Sequence, residues 1–199
     1  MVTVMCVLWG DKFSKEYVYN LKSAVARNTT VPHKFICLTD QVLEDVETLI
    51  LRPGLEGWWN KMQLFDGRVK GRIVYLDLDT LITGNIDWLM NYDGPFAGIE
   101  DLGSYRQYLK GRFQSGVIAW DSKDADWIWN DFNFRKGLAT SAFRGDGEYL
   151  ESIVPTHRRV LLQRRYPQQI KSYQPNIARQ DSIDGLDISA WFTGFGNKT

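Results

Sequence analysis

Arg72-Ile73-Val74-Tyr75-Leu76-Asp77-Leu78-Asp79-Thr80 reads as a short apolar strand closed at once by two carboxylates. A spacing of two places the Asp77 and Asp79 side chains on one face of an extended segment. Like charges on one face repel, and burying them unpaired is costly. At the carboxyl end of a parallel strand, however, ligands bind in the crevice beyond the sheet. A divalent cation there would neutralise the pair, and hard Mg2+ or Mn2+ takes oxygen ligands. The other reading is a pair of solvated turn acids.

Spacing alone decides nothing. With 17 Asp among 199 residues, composition gives about 1.4 Asp-x-Asp pairs by chance, and two occur. The second, Asp124-Ala125-Asp126, lies among Ser122, Lys123 and Trp127 at an expected helix start, where acids favour the helix dipole. Only the first closes an apolar strand.

The neighbourhood supplies the fold class. Val2–Trp9 is a continuous apolar run ended by Gly10-Asp11, which suits a central, doubly covered strand. Phe13–Arg27 carries Tyr17, Leu21 and Ala24/Val25 at helical spacing. His33–Leu38 and Val46–Leu51 read as further strands, and Trp58–Phe65 as a short helix stopped by Asp66-Gly67. Beyond the carboxylates, Pro95–Ile99 and Gly116–Trp120 read as strands, and Ala125–Phe132 and Gly147–Val154 as helices. Strands alternating with helices at this spacing predict an α/β domain with a mainly parallel central sheet flanked by helices. We expect a single domain over 1–199: a Rossmann-like, nucleotide-binding half over 1–80 and a less regular half over 81–199.

Composition removes several functions. Lys+Arg and Asp+Glu number 24 each, so the formal net charge is zero, which argues against a nucleic-acid binder. A hydrophobic content of 44% excludes a disordered chain. No apolar run approaches the roughly 20 residues that span a bilayer. The N-terminus has neither a basic lead nor a small-residue cleavage site, so no secretory signal and a cytoplasmic location are expected. Cys6 and Cys37 each sit in a buried-strand pattern and read as core thiols, with a disulfide between neighbouring strands as the alternative. His33 and His157 lack ligand-like spacing and read as surface histidines.

Several segments, in order, resemble the DxD-containing glycosyltransferases of the GT-A fold, of the glycogenin-like and lipopolysaccharide-galactosyltransferase-like kind. They are Gly57-Trp58-Trp59-Asn60-Lys61-Met62-Gln63-Leu64-Phe65, the Asp77-Leu78-Asp79 strand, Phe113-Gln114-Ser115-Gly116-Val117-Ile118-Ala119-Trp120, Gly145-Asp146-Gly147-Glu148-Tyr149-Leu150 and Lys171-Ser172-Tyr173. The resemblance implies a metal-dependent transferase. It would move a hexose or deoxyhexose from a UDP-sugar to a saccharide or glycoprotein glycan, with retention of configuration. It also implies roles. Asp77 and Asp79 would hold Mn2+ or Mg2+, with Leu78 between them at the donor site. Lys61 would stabilise the departing diphosphate. Leu8, Trp9, Gly10 and Asp11 would border the base, Gln114 and Ser115 would line the donor sugar, and Asp146 would stand beside it. For Asp146 the plain alternative is a helix N-cap, and for Lys61 a helix-surface residue. Trp58 and Trp59 offer stacking surfaces for base or sugar, with core packing expected for at least one.

The chain departs from the family pattern twice. Gly147 stands where a Gln is usual, and Thr193 stands where a third metal ligand, a His, is usual, with Lys198 one position late. An inactive nucleotide-sugar- or glycan-binding protein is therefore one alternative, and the chain could be part of a longer protein. A haloacid-dehalogenase-type phosphatase is the other. Against it, Thr80 follows the second Asp one position too early, and at least three strands precede the pair.

Overall fold

The computed structural model describes residues 1–101, 111–172 and 190–192. Its centre is a seven-stranded sheet, in order β3-β2-β1-β4-β7-β6-β8. The strands are β1 (Val2–Leu8), β2 (His33–Thr39), β3 (Glu47–Ile50), β4 (Arg72–Leu76), β6 (Phe96–Glu100), β7 (Phe113–Asp121) and β8 (Arg159–Leu161). β1 lies parallel to β2 and β4, β2 to β3, and β6 to β8; β7 alone runs against both its neighbours, β4 and β6. The expected mainly parallel sheet is thus present, with one reversed strand at the centre of its second half.

Strand alternation builds a core on each face. Val4, Cys6, Leu8, Val74 and Leu76 face one cluster, which also takes in Val18, Leu21 and Val25 of α1 (Lys15–Asn28). Met5, Ile73 and Tyr75, the intervening positions, face the other. That side is covered by a 3-10 helix over Gly57–Phe65, α4 (Trp127–Ala142) and α5 (Asp146–Ile153). Cys6 and Cys37 sit directly opposite each other on β1 and β2 as free, buried thiols, so the core-thiol reading holds. Burial pushes the Cys6 thiol well up.

Several boundaries differ from expectation, each for a local reason. Trp58–Phe65 is helical but 3-10 rather than α. Buried Asn60 donates to the Gly57 and Leu55 carbonyls at 3.2 and 3.3 Å, and buried Gln63 brackets the Arg52 backbone at 2.7 and 3.1 Å. Asn60 thus satisfies one carbonyl at the start of the helix and one before it, and Gln63 ties the helix to the Arg52 segment. Around the Asp124–Asp126 pair, the chain forms a short α3 (Ser122–Ala125), N-capped by Asp121, and then α4, which runs a further ten residues past Phe132. The pair is a helix start, as read. Small elements escaped the pattern, including α2 (Asp87–Met90), α6 (Leu162–Arg165) and a separate three-stranded sheet. In that sheet β10 (Ala190–Phe192) lies between β5 (Thr80–Ile82) and β9 (Ile170–Ser172). Runs of three or four residues are too short to show a period.

One irregularity positions the site. Between Ala97↔Ala119 and Ile99↔Gln114, two residues along β6 take up five along β7. Extra residues in one strand bend it and re-aim its side chains. Here the bend falls at Ser115–Ile118, beside the carboxyl end of β4. It is stabilised by Phe113, whose ring lies over Gly98 and stacks on Phe96 with centroids 5.8 Å apart. A Cβ on Gly98 would stand 2.1 Å from that ring. Gly98→Ala should therefore lower unfolding free energy by about 2 kcal/mol, the scale of core overpacking. Chemical denaturation measures it, and a loss under about 0.5 kcal/mol would show that Phe113 can move aside freely.

Candidate active site

The strand order places the site. β1 connects through α1 to β2 on one side, while β4 lies on its other side, so the crevice between the carboxyl ends of β1 and β4 is a topological switch point. Trp9-Gly10-Asp11 leaves β1 there, and Asp77-Leu78-Asp79 leaves β4.

The two carboxylates are not on an extended strand. β4 ends at Leu76, and the Thr80 N–H donates to the Asp77 carbonyl at 3.0 Å, so Asp77–Thr80 is a turn. The sheet still holds its start, because the Asp77 N–H donates to the Gly116 carbonyl of β7 at 2.9 Å. The premise of one extended face is corrected; the proximity of the charges stands. Burial, then repulsion from Asp77, lifts the Asp79 carboxyl from 3.8 to about 6, against the pull of Lys61 and Lys12.

Lys61 is the hub. Its Nζ lies 2.7 Å from Asp77 Oδ1 and 3.8 Å from Asp146 Oδ2, with only 14% of the side chain exposed. It also stands 5.3 Å from the centroid of the Tyr75 ring, whose hydroxyl donates to Asp77 Oδ1. Burial alone would weaken the ammonium; Asp146, Asp77 and Asp79 outweigh it and drive its pKa above the ordinary lysine value. The surface-lysine reading is excluded. Asp146 is 5% exposed and is the first residue of α5, not its N-cap, which is Gly145. Burial raises the Asp146 carboxyl, opposed by Lys61 and a Ser115 hydrogen bond, and its Oδ2 accepts no hydrogen bond. Gly147 follows, and a Cβ there would stand 3.1 Å from Ser115 Oγ, so a side chain there would push Ser115 back by a few tenths of an ångström.

The remaining expected residues divide. Leu8 is wholly buried and Leu78 nearly so, and both belong to the core. Trp9 is exposed, as is Asp11, and Gly10 between them adopts φ +63°, a conformation glycine tolerates. Gln41 fixes this loop by donating to the Gly10 carbonyl at 2.7 Å, and the Gly10 N–H reaches Asp40 at 3.4 Å. Gln114 is half-buried, its side chain accepting from the Gly116 N–H at 3.4 Å, while Ser115 is buried beside Asp146. Trp59 is a core residue, stacked on Phe132 at 5.7 Å; Trp58 is exposed. Thr193, Lys198 and Tyr173 lie outside the described residues. Sequence reasoning missed Tyr75, Lys12, Asp40 and Gln41. Tyr75 gave no period-two signal, because Asp77 already lies beyond the end of β4.

The donor set suits a hard cation. One lysine against three carboxylates leaves a formal excess of two negative charges. Mg2+-like ions are bound through one or two carboxylates, with water and substrate phosphate completing the shell. Asp77 and Asp79 can supply that much. Among the described residues no cluster of three or more His, Cys, Asp or Glu side chains is arranged to hold a metal unaided.

Neither family models nor curated proteins match the chain. Solved structures do. An active-site mutant of LgtC superposes with a TM-score of 0.70 at 12% identity, over 98% of this chain and 88% of that one. The galactosyltransferase LgtC with donor and acceptor sugar analogs gives 0.68 at 12%, over 96% and 87%. The bifunctional glycosyltransferase WbbM gives 0.65 at 10%, over 99% of this chain and 46% of that one. The chain has the GT-A-like fold of these glycosyltransferases.

Two outcomes follow from the charges. Asp79 has a raised folded pKa, so the native state binds its proton more tightly than the unfolded chain does. The resulting stability is complete below about pH 4 and is lost as pH rises through about 6. Asp79→Asn should remove this slope and stabilise the metal-free protein at pH 8 by about 3 kcal/mol, read from urea midpoints at about pH 4 and about pH 8. An unchanged slope would overturn the assignment. Lys61→Met strands two carboxylates and should cost about 3–5 kcal/mol. Adding Asp146→Asn should restore part of the loss; a double variant no more stable than Lys61→Met would count against the pairing.

Proposed function

We propose that the protein is a metal-dependent glycosyltransferase that moves a hexose or deoxyhexose from a UDP-sugar to a saccharide or glycoprotein glycan, with retention. The observation that carries this reading is the buried Lys61 joined to Asp77 and Asp146 at the switch point of a glycosyltransferase fold. The fold alone would not carry it, since one fold hosts many functions.

The residues divide the work. Trp9, Gly10 and Asp11 border the base, with the exposed Asp11 carboxylate able to accept the uracil N–H. Asp77 and Asp79 present oxygen ligands to Mn2+ or Mg2+, which supplies charge neutralisation at the diphosphate. Lys61, already fixed by its carboxylates, offers positive charge to the leaving group without reorganising. Asp146 lies against the donor sugar, where a carboxylate favours the positive charge that develops at the anomeric carbon. Ser115 holds Asp146, and Gln114 borders the same pocket.

Retention is what the family resemblance implies, and Gly147 bears on how it would be reached. With no side chain there, the position offers no nucleophile for a covalent sugar–enzyme intermediate. In the front-face course, the anomeric carbon–oxygen bond to the diphosphate breaks and the acceptor oxygen bonds from the same side. The acceptor proton passes to the departing phosphate oxygen, so no enzymic base is required. The phosphatase and the inactive binder are not favoured, because the structures that share the fold across nearly the whole chain are glycosyltransferases.

A screen of nucleotide sugars for Mn2+-dependent release of free nucleotide tests the reading. We expect turnover with at least one UDP-sugar and a fall of about a hundredfold or more in Asp77→Asn and Asp146→Asn, the scale of lost transition-state electrostatics. Tight UDP binding with no turnover of any donor would replace the enzyme with a binder.

A further inference from the structure

We propose that Glu148 is a positioning residue: by clasping Arg144 across Gly145-Asp146-Gly147, it holds the Asp146 carboxylate in place beside Lys61. This role deepens the nucleotide-sugar reading and rests on it for what Asp146 then does to a donor sugar.

Asp146 needs a restraint that its own side chain supplies only in part. Its Oδ2 accepts no hydrogen bond and stands 3.8 Å from Lys61 Nζ, too far for one. A Ser115 hydrogen bond is the side-chain tether that remains. The backbone is no firmer, because Asp146 sits between two glycines, and glycine has the most backbone freedom to lose on folding. Packing favours both. A Cβ on Gly145 would stand 3.2 Å from Trp58 Nε1, and one on Gly147 3.1 Å from Ser115 Oγ. Gly145 is also the N-cap of α5, so the helix starts without a side-chain cap.

Glu148 answers this need. It is the third residue of α5, the position from which a Glu reaches back over the first turn. Here it reaches one residue beyond the cap. Its Oε2 accepts from the Arg144 backbone N–H at 2.8 Å and from Arg144 Nε at 3.1 Å, and its Oε1 accepts from Nη2 at 3.1 Å. Three bonds to one side chain thus tie together the ends of a five-residue span with Asp146 at its middle. The Arg144 bonds hold the Glu148 carboxyl below its ordinary pKa, and Arg112 adds positive charge at 3.9 Å. One turn on, Glu151 accepts from the Phe113 N–H at 3.1 Å and Arg112 Nε at 2.6 Å, which docks the body of α5 against the start of β7. With the body docked, the first turn is what Glu148 has to set.

A triple-mutant cycle tests this without any substrate. Coupling between Lys61 and Asp146 is read from the unfolding constants of Lys61→Met, Asp146→Asn, the double variant and the parent chain. The cycle is then repeated with Glu148→Ala throughout. We expect the coupling factor to fall at least about threefold there, within the range that neighbouring side chains show. Where Ala leaves too little stability to measure, Glu148→Gln carries the cycle. It keeps the shape, loses the charge, and should lower the factor about twofold. Asp87→Ala breaks the bonds from Thr30 to α2, at 2.7 and 2.9 Å, and controls for destabilisation elsewhere; it should leave the factor unchanged. An unchanged factor with the Glu148 variant, or an equal fall with Asp87→Ala, overturns the proposal.

Turnover separates this role from the reading beneath it. With a UDP-sugar that is turned over, Glu148→Ala should lower kcat about tenfold and leave KM within about threefold, the pattern of a contact made in the transition state. Full kcat in Glu148→Ala overturns the positioning role. Unchanged coupling in an active enzyme removes that role and leaves the transferase. Lowered coupling in a protein that turns over no UDP-sugar does the reverse.

Discussion

A lysine held almost out of water by carboxylates is the constraint around which this molecule is arranged. An ammonium is costly to bury alone, and two aspartates are costly to bury without it. Lys61 comes from the 3-10 helix, Asp77 from the turn after β4, and Asp146 from the first residue of α5. Each element must arrive for the others to be tolerable. Tyr75 completes the set from below, with its hydroxyl on Asp77 and its ring under Lys61. One lysine against Asp77 and Asp146 already leaves the cluster negative, and Asp79 adds a further carboxylate. A residual negative charge at the switch point would favour a bound cation.

The irregular features of the fold serve the same cluster. β7 is the reversed strand, and its extra residues against β6 coincide with Ser115–Ile118. That bend brings the Gly116 carbonyl to the Asp77 N–H and Ser115 to Asp146. Gly98 permits it by letting the Phe113 ring lie on bare backbone. The 3-10 helix is a second departure from regularity, maintained by Asn60 and Gln63, which spend their amides on backbone rather than on solvent. Its tighter winding puts Trp58 and Lys61 in line. Regular strands supply the scaffold, and the site is formed where regularity is broken.

Legibility in the sequence followed the same division. β1, β2, β4 and α1 were readable within a residue or two, because a doubly covered strand must be apolar throughout and a one-sided helix must repeat. The pairing of Lys61 with Asp146 was not readable as a contact; only the resemblance brought both residues to attention. The turn at Asp77–Thr80 was hidden because period-two reasoning assumes the strand continues. Cys6 and Cys37 could be read as buried, but their facing register depends on how β1 and β2 align. Short elements such as β5 and α6 carry too few residues to express a pattern. Trp58 and Trp59 are neighbours of the same type, and only tertiary packing separates the core residue from the exposed one.

The placement of β7 also bears on the order in which the chain acquires its site. β7 lies between β4 and β6, although α2 and β6 are made before it. β4 therefore has no partner on that side until a later segment enters beside it. Asp77 lacks its Gly116 acceptor until then, and Asp146 cannot meet Lys61 until the chain has passed through β7 and α4. Closing such long loops is entropically slow, and contacts of this range form late. Until those contacts form, the carboxylates have no buried partner and their charges stay in water, where they are cheap. The charged centre joins side chains from the 3-10 helix, the turn after β4 and α5, so its burial requires segments far apart in the chain to be in place together.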